Sequence, residues 1–261
     1  MNWKLTIWHV VVLILALLFW GYGSSVSSDV LFGQAFDGLA VFYLILLLTF
    51  TAMGVAFFQR KVWALSLTGI IGLIYLFQFG FSLLNLFGVG ILMLLGLYSC
   101  ANSGTEISQR TKINIRRVVQ SGAWPIVLGL FILVSFAVYQ SPMVQNLKNA
   151  NSLPSQSETF IKSIVQNIVS RETKKLNAKE SQNIITQVSQ KAIGDLNLFF
   201  RPYLKYTPPI LAFGLFLILW GLSWIFIWLS VLLGMLIFWI LKKTKVVSIE
   251  ERDIKAEVLI L

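Results

Sequence analysis

Trp63 to Cys100 is a run of thirty-eight residues without a charged side chain. A single helix of that length would be about 57 Å long, nearly twice the ~30 Å hydrocarbon core of a bilayer. A chain carrying such a run must fold it back on itself. Gln78, Gly80, Ser82 and Asn85 lie near its middle, where a turn would sit. The run therefore predicts two membrane spans, about 62–79 and 83–100. Gly69, Gly72, Gly88, Gly90 and Gly96 offer close helix–helix contact, the usual use of small residues in lipid, although no GxxxG motif occurs here. Gln78 and Asn85 are the most polar groups near these spans. In a turn they face headgroups; inside a bundle they would line a path for small solutes or pin helices together.

The remaining charges follow the same division. Lys4 stands alone before the first apolar run, Asp29 and Asp37 share one loop, and Arg60 and Lys61 form the next. Residues 101–121 carry one acidic and four basic residues, and the others fall in 140–206 and after Leu241. No apolar segment contains a charge. With 57% hydrophobic and only 12% charged residues, this composition predicts an all-α integral membrane protein. The other spans are about 5–22, 38–58 and 123–139, followed by a long or kinked sixth span within 207–241.

The run over 5–22 also fits a signal peptide cleaved near Gly21–Ser25, but its length favours a retained span. In the segment 207–241, thirty-three residues from Pro209 would make a helix of about 50 Å. Two spans would be only about sixteen residues each. They would also separate Lys242, Lys243 and Lys245 from the other basic loops, so one span is preferred. The basic loops then all lie inside, with both termini cytoplasmic, the tail 242–261 inside and residues 140–206 outside. The insert lacks an N-x-S/T sequon, which favours a prokaryotic plasma membrane.

That insert is the one long polar segment. Ser155 and Glu158 form a capping box ahead of Phe160, Ile161, Ile164, Val165, Ile168 and Val169. Asn177 and Glu180 repeat the pattern ahead of Ile184, Ile185, Val188, Ala192, Ile193 and Leu196. The expected structure is an extracytoplasmic helical hairpin between helices 5 and 6, too small to bury both apolar faces alone. Phe160, Ile164, Ile168, Ile184, Val188 and Ile193 are its candidate partner-binding residues. The partner would be a second copy or another envelope protein engaging residues 155–206. Trp20, Tyr22, Phe199, Arg201, Tyr203, Lys205, Trp220 and Trp239 are candidate membrane-interface anchors, because amphipathic rings and long basic chains settle at headgroup level. The loop 101–121 carries conflicting signals. Ser103–Glu106 reads as a capping box opening a helix, while Lys112–Arg116 alternates as a strand would. Pro125 sits in the first turn of the fifth span, where a missing N–H costs little.

The chemistry searched for is sparse. Intramembrane carboxylates for proton coupling are absent, and His9 is the only histidine. Cys100 is the only cysteine, so no intramolecular disulfide forms. No metal or cofactor motif occurs. The net charge of +10 is spread among loops, which favours topology control and anionic lipid over nucleic acid. Gly221-Leu222-Ser223-Trp224 resembles the GxS nucleophile motif of the rhomboid intramembrane proteases over four residues. Those enzymes need a histidine base beside the serine, and His9 is predicted near the opposite interface. The sequence thus favours a non-enzymatic accessory or assembly subunit, with a channel or transporter of neutral or lipidic solutes as the alternative.

Overall fold

The computed structural model describes residues 3–26, 38–109, 114–141, 144–145, 178–200, 206–244 and 247. Every regular element among them is an α-helix: α1 (Trp3–Val26), α2 (Gly38–Phe58), α3 (Lys61–Phe79), α4 (Leu83–Ser108), α5 (Ile115–Gln140), α6 (Ala178–Phe200), α7 (Thr207–Gly221) and α8 (Ser223–Lys243). Six of them, α1 to α5 and α8, are long and apolar enough to cross a membrane; α7 is apolar but shorter. These helices suggest a membrane-embedded protein. The chain forms two compact units, one of residues 1–22, 37–130 and 221–261, the other of 23–36 and 131–220.

The first unit is organised around α2, which packs against α3, α4 and α8. Leu47, Leu48, Ala52 and Met53 of α2 are fully buried, so apolar burial drives this assembly wherever the surroundings are aqueous. Inside lipid, close packing has to do the same work. The tightest pair is α3 with α4, and the glycines show why. A Cβ on Gly96 would come within 2.5 Å of the Thr68 methyl, and one on Gly72 would run into the Val89 side chain. Two small residues thus let the helices approach more closely than side chains elsewhere would permit. The α2–α3 turn is shorter still. Gln59 takes a left-handed φ of 41°, and its N–H bonds the Val55 carbonyl at 3.1 Å.

The loop expected between the fourth and fifth spans is largely helix. α4 runs eight residues past Cys100, through Ser103–Glu106, one of the two conflicting signals in this loop. Ser103 is buried, with its hydroxyl 3.5 Å from the Val118 carbonyl, and Thr105 bonds back to Ala101. Ile115 and Arg116 begin α5 rather than a strand, and the Asn114 side chain accepts the Arg117 N–H. Continuing a helix out of an apolar segment satisfies the backbone at each step, which outweighs both the local cap pattern and the weak helix propensity of Asn102, Ser103, Gly104 and Thr105. Pro125 consequently lies inside α5 rather than in a first turn. Its ring removes the N–H that would serve the Ser121 carbonyl. The next carbonyl, Gly122, accepts the Ser99 hydroxyl of α4 at 2.7 Å, the kind of neighbouring-helix hydroxyl bond that supports a proline-interrupted helix.

Candidate functional site

A buried polar site closes the α3–α4 hairpin. Helix α3 ends at Gly80, whose φ of 89° and ψ of 161° are open to glycine and strained for other residues. Its N–H bonds the Leu76 carbonyl at 2.9 Å. Ser82 then caps α4, accepting the Asn85 N–H at 3.2 Å. Asn85 is fully buried. Its Nδ2 donates to the Phe79 and Gly80 carbonyls at 3.2 and 2.8 Å, and its Oδ1 accepts the Tyr75 hydroxyl at 2.9 Å. One amide therefore serves two carbonyls freed at the end of α3 and a phenol one turn inside it. Of the readings open for this residue, the structure places Asn85 as a pin between helices. Gln78 is exposed and takes no part in that pin.

Trp20 packs on the same cluster, with ring centroids 4.9 Å from Tyr75 and 5.7 Å from Phe79. It is only 2% exposed and its Nε1 has no hydrogen-bond partner. The expected anchor at this end of α1 therefore points inward. Tyr22, half-buried, stacks on Tyr43 at 5.7 Å.

Several other polar groups of the first unit are engaged, whereas the buried Ser121 hydroxyl has no hydrogen-bond partner. Trp8 donates its indole N–H to the Phe50 carbonyl at 2.8 Å. His9 Nδ1 lies 2.8 Å from the Leu5 carbonyl, which can only accept, so that nitrogen carries a proton. In the neutral ring Nε2 then accepts the Ser66 hydroxyl, 2.9 Å away. Both nitrogens are occupied, and neither contact involves Ser223. Thr51 and Thr68 donate to carbonyls four residues back in their own helices, a local solution for a hydroxyl in an apolar helix. Thr49 does the same and also bonds the Ser230 hydroxyl of α8 at 2.9 Å. These side chains join α1 to α2 and α3, and α2 to α8. No group of three or more His, Cys, Asp or Glu side chains suited to a metal occurs among the described residues.

The second candidate site lies on α6. Phe160, Ile164 and Ile168 fall outside the described residues, as do Asn177, Arg201, Tyr203 and Lys205. Ile184 and Phe199 are within α6. The more protected positions of this helix are Ser189, Ala192, Ile193 and Leu196, at helical spacing. Val188, expected near the centre of the apolar face, lies at its margin and is 43% exposed, while Leu198 is 71% exposed. Hydrophobicity placed the face by Ile184 and Val188; the inclusion of Ser189 rotates it by about one residue. Trp220 and Trp239 are exposed, as anchors of a bilayer edge need to be.

Comparison with protein-family models, curated proteins and solved structures gives no match to the chain.

Proposed function

We propose that this protein is a non-enzymatic integral membrane subunit of an envelope complex, with a structural or assembly role. Six helices cross the plasma membrane, both termini are cytoplasmic, and residues 140–206 form an extracytoplasmic unit that engages a protein partner. The observation that carries the reading is the exposure of Val188 and Leu198 on α6, a helix of span length that is too polar to count among the six candidate spans. Apolar side chains left open on a helix too small to bury them are a ready contact surface. The engagement of His9, Ser66, Thr49, Ser230, Tyr75 and Asn85 with one another or with backbone favours a scaffold, because their polar atoms are spent on joining helices.

The topology has support from the first unit. Lys4 at the start of α1, Phe58 at the end of α2 and Leu241 near the end of α8 line one cavity, so these three ends lie together. That arrangement puts Lys4, Arg60, Lys61, Lys242 and Lys243 on one side, as the positive-inside rule requires.

A photo-crosslinker at Val188, in native membranes, tests the proposal. It is expected to capture a protein, either a second copy or a different chain. The same probe at Gln190, about 200° round the helix, is expected to capture none. Lipid adducts alone at both positions would overturn the reading.

A further inference from the structure

A pocket of about 500 Å³ opens between the end of α4 and the start of α5. Asn102 and Glu106 of α4 and Arg117, Gln120, Ser121 and Trp124 of α5 line it, all within the first unit. Two hydroxyl bonds set the register of the helices here. Ser99 donates to the Gly122 carbonyl at 2.7 Å, and Ser103 to the Val118 carbonyl at 3.5 Å. The helices therefore run in opposite directions through the site. Glu106 and Arg117 lie at the end nearest the α4–α5 connection, Asn102, Gln120 and Ser121 lie midway, and Trp124 lies where the apolar segment begins. From Arg117 to Trp124 the pocket follows α5 for about 10 Å.

Polarity falls in that order, from a carboxylate and a guanidinium through amides and a hydroxyl to an exposed indole. The Ser121 Oγ is buried and has no hydrogen-bond partner. Leaving such a hydroxyl unserved costs about 1–3 kcal/mol, which an acceptor carried by an occupant would remove. Glu106 already interacts within the protein. A carboxylate accepts at about four sites, so that interaction leaves room for another donor. The lining thus fits a molecule with both charges at one end, acceptors in its middle and an apolar continuation beyond Trp124.

We propose that this pocket binds the headgroup of phosphatidylethanolamine, a reading that rests on the membrane topology proposed above. Its phosphate would lie against Arg117, whose fork of donors matches phosphate oxygens. Its ammonium would donate to Glu106. Its ester carbonyls would accept from the Ser121 hydroxyl and from the amides of Asn102 and Gln120, and its acyl chains would pass Trp124 into the bilayer. A free sugar or amino acid meets the same polar groups but has nothing to place beyond the indole. A bound headgroup would hold α4 and α5 together at the bilayer edge.

The test uses the full chain in vesicles of equal parts phosphatidylethanolamine and phosphatidylcholine. The two headgroups have the same net charge, so the charged loops and tail attract them alike; they differ in the N–H donors of the amine. A photo-crosslinker at Tyr98, exposed one turn below Asn102, leaves the lining intact, and a second at Gln120 reads the site directly. A probe at Leu73, exposed on α3 and outside the lining, reports ordinary surrounding lipid. By mass analysis, phosphatidylethanolamine adducts are expected to predominate about tenfold at Tyr98 and Gln120, the lower end of what one charge-assisted hydrogen bond supplies. At Leu73 they should follow the vesicle composition. Glu106→Gln and Arg117→Gln, read at Tyr98, should each bring the ratio back towards that at Leu73. The same ratio at all three positions overturns the proposal, as does a preference that neither substitution alters. Absence of lipid adducts at Leu73 would instead overturn the membrane topology on which it rests.

Discussion

The chain contains two apolar runs of more than thirty residues, and it treats them differently. Trp63–Cys100 breaks at Gly80–Ser82 into two span-length helices. Pro209–Leu241 is interrupted only at Leu222, whose φ of −88° and ψ of −2° stay in the right-handed region. There the Ile225 N–H bonds the Leu222 carbonyl at 3.0 Å, so backbone pairing resumes at once. The difference lies in what each break offers the backbone. At the first, a glycine takes a positive φ, Ser82 caps the new helix and Asn85 serves the carbonyls of the old one. At the second, Gly221-Leu222-Ser223 provides no side-chain cap. Ending a helix in apolar surroundings requires new partners for its terminal groups, and only the first run encodes them.

The largest expected effect comes from removing the amide that makes this difference. Asn85→Leu leaves the Phe79 and Gly80 carbonyls and the Tyr75 hydroxyl without it, and should destabilise the bundle by about 1–3 kcal/mol. Denaturant or thermal unfolding in detergent measures the loss; an unchanged midpoint would remove Asn85 as a pin. Gly80→Val should cost about 1–2 kcal/mol, because a β-branched residue is forced into a positive φ. The same unfolding assay on Gly80→Ala separates backbone strain from β-branching: at a ψ of 161° these angles are nearly confined to glycine, so Ala should lose most of the same stability. The smallest effect has the opposite sign. A Cβ on Gly221 would meet nothing within 4 Å, so Gly221→Ala should be neutral or stabilise by up to about 1 kcal/mol through helix propensity. Loss of stability there would mean that the second break is as specific as the first.

The span-length helices were legible because charge exclusion and length act over whole segments. α2 begins and ends where the sequence predicts, and α3 does so within one residue. The α4–α5 connection is ambiguous in the sequence for a local reason. Ser103 and Glu106 have a capping pattern, but α4 already satisfies its backbone there and the Ser103 side chain is buried. Trp20 shows the matching difficulty with side chains. A tryptophan near the end of an apolar run can face outward or inward, and its neighbours Tyr75 and Phe79 lie more than fifty residues away. For the Asn85 site one signal was present: Tyr75 and Asn85 stand five residues either side of Gly80, so an antiparallel turn there brings them together. His9–Ser66 and Thr49–Ser230 left no comparable trace, because nothing in an apolar helix states which neighbour its face will meet.

By itself the sequence determined the class, the position of most helices and the need to fold Trp63–Cys100 back. Those follow from the cost of placing charge and unpaired backbone in an apolar medium, which depends on residue type and run length. Only the tertiary structure decided that Asn85 is an internal pin, that Trp20 turns inward, and that α4 and α5 bring Glu106, Ser121 and Trp124 to one pocket. Those depend on which helix faces meet, and a lone hydroxyl, amide or indole acquires a role only from the partner that packing brings to it.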